Sequence, residues 1–323
     1  MPSLPGTRDD RRVVTGAGTY RDPMPEVPRS IRHDTGFVEV ADRCWVARFE
    51  FLDVNVGLVG GDRGLLVVDT HASEVAARRV VEQVRALGAG DVVAVVNTHQ
   101  HFDHTFGNVV FLEEYAEAGG PPVYAHDTVP DDLASSAPAL QREARDDRSR
   151  PEHADVAATR VVAPTHTFSS ARAVDLGDRL VELVHPGRGH TAGDVVVRVG
   201  DADVMFAGDL VEESAMRSGV PGFGADCFPM EWPATLDLVI QMLGEEAVVV
   251  PGHGLPVSKD FVQEQRSAVG VVAETIRDLA SRGVPVAEAL DAAEWPYPKE
   301  ELRDAVARGY EHLPRSARSL PLL

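Results

Sequence analysis

The chain has 323 residues, enough for one large domain or two ordinary ones. Its 44% hydrophobic and 25% charged residues are typical of a soluble globular protein. The formal net charge is −20, from 31 basic and 51 acidic residues, and this disfavours nucleic acids and anionic membranes as partners because both are polyanions.

The cysteine content and the apolar runs indicate a compartment. Cys44 and Cys227 are the only cysteines, too few for a disulfide framework. The first 30 residues contain no apolar run of signal-peptide length, and no later stretch reaches the ~18 uninterrupted apolar residues that a membrane span needs. These features predict a cytoplasmic protein.

The first half of the chain alternates strand and helix patterns. Residues 1–33 are rich in Pro, Gly, Arg and Asp without periodicity, and we expect a flexible arm. The run GLLVVDT (64–70) has the pattern of a buried strand, and a helical pattern ending near Gly88 follows it. The run DVVAVVNTH (91–99) is a second buried strand. Alternating strands and helices predict an α/β layered fold.

The second half contains an insertion, more strands and a helical tail. Residues 127–165 are polar and mostly helical in pattern, and we expect a lid or insertion. The runs DVMFAGD and VVVPGHG are strands that each finish on a potential ligand. Residues 258–323 are predicted to form a helical extension that packs on the preceding domain.

The segment NTHQHFDHTFGN (97–108) places three histidines and an aspartate within six positions. In an extended segment, residues two apart project to the same side, so His99 and His101 can chelate one ion. Asp103 and His104 lie past the bend and can face a second ion beside it. Neutral imidazoles and carboxylates without cysteine suit zinc, with iron or manganese as alternatives.

Three further candidates lie at strand ends or in glycine-flanked turns. His190 lies in GRGHTAGD, Asp209 closes MFAGD, and His253 lies in PGHG. Each alone is more often structural, but open α/β sheets hold their ligands at the ends of buried strands, and the joint placement makes all three ligand candidates. Asp69 is expected to orient a ligand from behind, whereas the pattern leaves the role of His71 open.

Together these motifs resemble the metallo-β-lactamase superfamily over residues 37–260. The resemblance implies an αββα sandwich, in which two mixed β-sheets face each other, helices cover the outer faces and metals bind at one edge. It also implies that residues 34–257 form the catalytic domain. The implied ligands are His99, His101 and His190 for the first metal, Asp103, His104 and His253 for the second, and Asp209 bridging both, with Asp103 also the expected catalytic residue.

The resemblance implies an enzyme, a dinuclear hydrolase with two Zn²⁺ whose bridging hydroxide attacks a carbonyl carbon. The expected substrate is a small ester, thioester or lactone, including one linked to a carrier or to coenzyme A. The main alternative is a lactamase-like cyclase/thioesterase of aromatic polyketide biosynthesis. Asp209 resembles the bridging carboxylate of the glyoxalase II-like hydrolases. A β-lactamase is less expected because β-lactamases generally lack a carboxylate bridge at this position, and a lactonase because lactonases carry a tyrosine shortly after the bridging aspartate, where this chain has Glu212. An iron sulfur dioxygenase and a non-catalytic metal protein are further alternatives.

The loop of residues 212–232 bears on the substrate. It carries Phe223, Phe228, Met230 and Trp232 beside Asp209. These side chains either cover the metal centre and form an apolar substrate pocket, or pack beneath the following helix. The sequence leaves both interpretations open, and it leaves the oligomeric state open.

Overall fold

The structure is a computed structural model and describes residues 31–116 and 119–313. The expected arm therefore lies outside the described residues except for its last three positions, as do the last ten residues of the expected helical extension. None of the described helices is long and apolar enough to cross a membrane.

Two mixed sheets form the centre of the protein. In the seven-stranded sheet the order is β1-β2-β3-β4-β5-β6-β7, with antiparallel pairing up to β4 and parallel pairing from β4 to β7. Its strands are β1 (Val38–Ala41), β2 (Cys44–Arg48), β3 (Asn55–Gly61), β4 (Gly64–Val68), β5 (Val92–Val96), β6 (Val123–His126) and β7 (His166–Phe168).

The second sheet has five strands in the order β12-β11-β10-β9-β8. Its pairs are antiparallel from β8 to β11, and β11 and β12 are parallel neighbours. These strands are β8 (Ala171–Asp175), β9 (Leu180–Val184), β10 (Val196–Val199), β11 (Val204–Glu212) and β12 (Val248–His253).

Alternation along the strands explains why the sheets stack. In β4, Leu66 and Val68 point into a cluster between the sheets, where they meet side chains of the second sheet such as Phe206. Leu65 and Val67 point the other way, into a cluster with helical residues. A strand that is buried on both faces needs a layer on each side, so the fully apolar run predicts an inner strand.

Helices cover both outer faces. Helix α1 begins after Ser73, whose hydroxyl accepts a hydrogen bond from the backbone of Ala76, and it ends at Gly88 with φ of 66°. The helices are α1 (Glu74–Leu87), α2 (Phe102–Thr105), α3 (Asn108–Glu114), α4 (Val129–Asp146), α5 (Glu152–Ala158), α6 (Trp232–Met242), α7 (Lys259–Ser281), α8 (Val286–Ala289) and α9 (Arg303–His312). The predicted αββα sandwich is therefore confirmed.

The expected lid and tail are both helical where described. Leu133 and Ala137 of α4 pack with Val156 of α5 against Phe51 and Phe106 in a small apolar cluster. Helices α6, α7 and α9 contribute to the apolar cluster that covers the second sheet. The assignment of residues 34–257 as a separate catalytic domain stays a prediction.

Candidate metal centre

The seven predicted ligands come from five places that meet at one edge of the sandwich. His99 and His101 lie in the loop after β5, and Asp103 and His104 lie on the short helix α2. His190 lies between β9 and β10, Asp209 on β11 and His253 at the end of β12. Because β11 and β12 are parallel neighbours, their carboxyl-terminal halves bring ligands to the same edge.

The first cluster consists of His99, His101, His190 and Asp209, with one ligand atom from each within 4.8 Å of the others. His101 Nδ1 lies 2.9 Å from His190 Nε2. The carboxylate Oδ2 of Asp209 is 3.5 Å from His190 Nε2 and 3.9 Å from His99 Nε2. Three imidazoles and a carboxylate around one point form a ligand set of the kind that zinc prefers.

The second cluster consists of Asp103, His104 and His253. His104 Nε2 and His253 Nε2 are 3.3 Å apart, and Asp103 Oδ2 lies 3.4 Å from His253 Nε2. The carboxylate of Asp209 reaches this cluster too, with Oδ1 at 3.3 Å from His104 Nε2 and Oδ2 at 3.1 Å from His253 Nε2. Asp209 thus lies between the two clusters.

Three of the histidines are held from behind by an acceptor. His104 Nδ1 lies 2.8 Å from Asp69 Oδ2, which is the role expected of Asp69. His190 Nδ1 donates to the carbonyl of Gly222 at 2.7 Å, and His253 Nδ1 donates to the carbonyl of Leu52 at 2.8 Å. Since these oxygens only accept, each Nδ1 carries a proton, and Nε2 is the nitrogen that faces the cluster and can bind a metal ion.

This donor set fits divalent cations. His104 and His253 point lone pairs at each other, an arrangement that is unfavourable without a proton or a cation between them. His99 Nε2 is buried and has no hydrogen-bond partner, and a buried polar atom of this kind costs free energy unless a ligand satisfies it. The residues therefore suit metal ions at both clusters.

The carboxylates of the site also favour the binding of cations. Burial acts to lower the pKa of His253, but the carboxylates of Asp209 and Asp103 outweigh it and raise the pKa to about 9. Burial lowers the pKa of His99 well below its usual range. Protons and cations compete for the lone pairs that these carboxylates surround, so metal binding at His253 is expected to release protons.

A glycine allows the close approach of β12 to Asp209. A Cβ atom at Gly252 would lie 1.8 Å from Asp209 Oδ1. This is far inside van der Waals contact, so any side chain here would displace the carboxylate. The close approach of the Asp209 carboxylate therefore explains why a glycine precedes His253.

His71 lies outside both clusters. It is buried, its Nδ1 accepts a hydrogen bond from the backbone of Ala72, and its ring lies 4.6 Å from that of Phe49. It lines a cavity of about 250 Å³ together with Phe51 and Asp155. His71, whose role the sequence left open, therefore lies beside the metal centre and outside its two clusters.

Sequence reasoning missed three contacts of the ligand histidines, one of them the carbonyl of Gly222 behind His190. The carbonyl of Leu52 belongs to a turn between β2 and β3 whose sequence has no motif. Asp226 Oδ2 lies 3.0 Å from His101 Nε2, and it lies in a loop where an isolated aspartate is unremarkable. None of these residues has a sequence signal, because each acts through its folded position alone.

The apolar side chains that follow Asp209 mainly pack beneath the following helix, which was the second of the two interpretations. Trp232 is fully buried and Phe223 nearly so, both within the cluster beneath α6 and α7. Phe228 stacks on the imidazole of His312 at 4.9 Å between ring centres. Trp232 and Phe223 are therefore packed in this cluster, with the Trp232 ring 5.9 Å from that of His190, and a role for them in covering the metal centre stays a prediction.

Comparison with known proteins agrees with this geometry. A family model described as metallo-beta-lactamase superfamily matches residues 50–253. The chain is 24% identical over 233 residues to a metallo-beta-lactamase type 2 of Bacillus cereus, covering 69% of this chain and 79% of the relative. It is 26% identical over 234 residues to the acyl-coenzyme A thioesterase MBLAC2 of Homo sapiens, covering 67% and 75%. The solved metallo-beta-lactamase from Pontibacter korlensis superposes with a TM-score of 0.56 at 20% identity, covering 72% of this chain and 98% of that one, which supports the fold.

Proposed function

The chain belongs to the metallo-beta-lactamase superfamily and is one of its metallo-hydrolases, and we propose that it hydrolyses an ester, thioester or lactone with two divalent cations. Zinc is the metal that we expect at both sites. The observation that carries the proposal is the position of Asp209 between two clusters of imidazole and carboxylate ligands. A carboxylate shared in this way is suited to hold two cations side by side.

The ligand assignment follows the two clusters. In the proposal His99, His101 and His190 hold one cation, and Asp103, His104 and His253 hold the other, with Asp209 contributing to both. When bound, two such cations polarise a substrate oxygen and lower the pKa of water towards neutrality. Asp103 and Asp209 together carry −2 against the +4 of the cations, so the centre remains locally positive within an acidic protein.

The residues themselves fix the geometry of the reaction. The buried acceptors behind His104, His190 and His253 hold each ring in one orientation, which spares the site reorganisation during turnover. Burial of the ligands limits bulk water at the centre and strengthens each electrostatic contact. This local positive charge is suited to the oxyanion that forms when a carbonyl carbon is attacked.

Two observations support a carbonyl substrate. The loop of residues 212–232 contains a single basic residue, Arg217, and so offers little of the bidentate arginine pairing that often recognises a phosphate group. The similarity to an acyl-coenzyme A thioesterase makes acyl thioesters the first substrates to test. A substrate linked to coenzyme A or to a carrier protein is part of this proposal.

Elemental analysis of the purified protein tests the metal part. We expect close to two metal ions per chain, mostly zinc, because seven ligands serve two sites. The control is the variant His99→Ala with His104→Ala, which removes one ligand from each cluster. A single tightly bound iron in the wild-type protein would contradict the dinuclear proposal and favour a dioxygenase.

A parallel assay tests the substrate class. Acyl thioesters, aryl esters, lactones, a β-lactam and bis-aryl phosphates are compared, with the metal-stripped protein as the blank. We expect turnover of at least one thioester, ester or lactone above that of the phosphate and the β-lactam. Faster turnover of the phosphate than of every carbonyl substrate would refute the proposal, and a preference for the β-lactam would identify a β-lactamase instead.

A further inference from the structure

His101 differs from the other ligand histidines in what holds it. Its Nδ1 faces His190 at 2.9 Å, so its Nε2 is the atom that points away from the cluster. Asp226 Oδ2 lies 3.0 Å from that Nε2 and accepts a second hydrogen bond, at 2.8 Å, from the side-chain amide of Gln100. One carboxylate oxygen therefore contacts two residues of the loop that carries the metal ligands.

The contact has a chemical consequence for the imidazole. A carboxylate oxygen only accepts, so the hydrogen bond requires the proton of His101 to be on Nε2. The Nδ1 lone pair is then directed at the first cluster. The other histidines with such contacts use acceptors that are fixed in the core, whereas the side chain of Asp226 is 45% exposed and belongs to a loop.

The loop is nevertheless anchored immediately after Asp226. The backbone N–H of Phe228 donates to the carbonyl of Gly189, next to the ligand His190. The guanidinium of Arg308 on α9 donates to the carbonyl of Cys227 at 3.2 Å. Cys227 is itself fully buried. These contacts anchor the backbone next to Asp226, close to the ligand His190.

We propose that Asp226 is a positioning residue that orients His101 and selects its Nε2-protonated tautomer, and so raises the affinity of the first cluster for its metal ion. The proposal rests on the metal centre of the proposed function. The geometry that supports this role is the 3.0 Å contact between Asp226 Oδ2 and His101 Nε2 on the side of the ring that faces away from the cluster. Acceptors behind metal-binding histidines increase their basicity and fix their rings.

The test compares three variants with the wild-type protein. Asp226→Ala removes the acceptor, and Asp226→Asn keeps an amide oxygen that can accept from Nε2 but removes the charge. Glu231→Gln is the matched control, since Glu231 lies near the same loop and its carboxylate pairs with Arg188 instead of with a ligand histidine. Each protein is titrated with Zn²⁺ against a chelator and with Co²⁺ followed by its absorption spectrum, and thermal unfolding of the metal-stripped forms is recorded.

We expect Asp226→Ala to lose about 10- to 100-fold in affinity at one of the two sites, with an altered Co²⁺ spectrum for that site. Asp226→Asn is expected to fall between Asp226→Ala and the wild type, and Glu231→Gln to match the wild type. Unchanged affinity in Asp226→Ala, or an equal loss at both sites together with a destabilised metal-stripped protein, would refute the positioning role. A wild-type protein that binds no metal would refute the proposed function as well, so the two failures are distinguishable.

Discussion

The turn that supports His253 is held by a buried ion pair, and breaking that pair is expected to weaken both the fold and the second metal cluster. Leu52 and Asp53 adopt left-handed conformations, with φ of 65° and 57°. The carbonyl of Leu52 is the acceptor for His253 Nδ1. Arg48 donates to Asp53 from Nε and Nη2 at 2.5 and 2.8 Å, and the hydroxyl of Ser214 donates to it at 2.7 Å.

The magnitude follows from the burial of the pair. The side chain of Asp53 is 4% exposed and that of Arg48 is 13% exposed, so Asp53→Ala leaves a largely buried guanidinium without its partner. Removing one member of a buried pair costs about 3–5 kcal/mol. Each left-handed non-glycine residue already costs about 1–2 kcal/mol, and the contacts of Asp53 hold the turn against that strain. We expect a loss of about 3 kcal/mol in the free energy of unfolding, at the lower end because Arg48 is partly exposed.

Urea denaturation of the metal-stripped proteins measures this in a double-mutant cycle of Asp53→Ala, Arg48→Leu and both together. The double variant should lose less than the sum of the single losses, because no charge is left buried without a partner. Metal titration of Asp53→Ala should show weaker binding at one site, because the acceptor of His253 is no longer fixed. A loss below about 1 kcal/mol, or strictly additive losses, would refute the reasoning.

The same pair has a defined pH dependence. Burial acts to raise the pKa of Asp53, but the hydrogen bonds from Arg48, Ser214 and His33 outweigh it and hold the pKa below its ordinary value. A carboxyl group with a lowered folded-state pKa adds stability above its unfolded value of about 3.9, and that contribution is lost as the pH falls through the folded-state pKa. The stability difference between wild type and Asp53→Ala should therefore be constant from pH 5 to 7 and shrink below about pH 4.

Three further outcomes are expected. Asp209→Ala should keep its far-UV circular dichroism but lose metal from one or both clusters and most of its activity, since two cations would repel each other without the shared carboxylate; two retained metals with normal turnover would contradict this assignment. Gly252→Ala should also lose metal, because its Cβ would meet Asp209 Oδ1 at 1.8 Å. The helical control Gly270→Ala should bind metal normally and be equally or more stable. Full metal content in Gly252→Ala would contradict this prediction and show that strand β12 can shift. Burial raises the pKa of both Cys44 and Cys227 to about 12. Neither thiol should therefore react with a disulfide reagent at pH 8 until urea is added, and rapid reaction in the native protein would contradict their burial.

The sequence was sufficient to predict the layered fold and to nominate the ligands. The apolar run of β4 requires a layer on each side of its sheet, and this requirement is local. The spacing of His99, His101, Asp103 and His104 is likewise local, because a short loop can place neighbouring residues around one edge without any knowledge of the rest of the chain. The structure brings all of these residues into the two clusters, and their roles as ligands stay a prediction until metal is measured.

Only the tertiary structure decided how the ligands are held and what surrounds them. The acceptor of His253 is the carbonyl of Leu52, 201 positions away, and that of His101 is Asp226, 125 positions away. Backbone carbonyls have no sequence signature, and an isolated aspartate in a loop resembles any other surface acid. The burial of Trp232 was also beyond the sequence, since an apolar residue beside a metal ligand suits a substrate pocket and a helix contact equally well. Periodicity and spacing record only local geometry, whereas these contacts depend on which loops the packed sheets bring to the same edge.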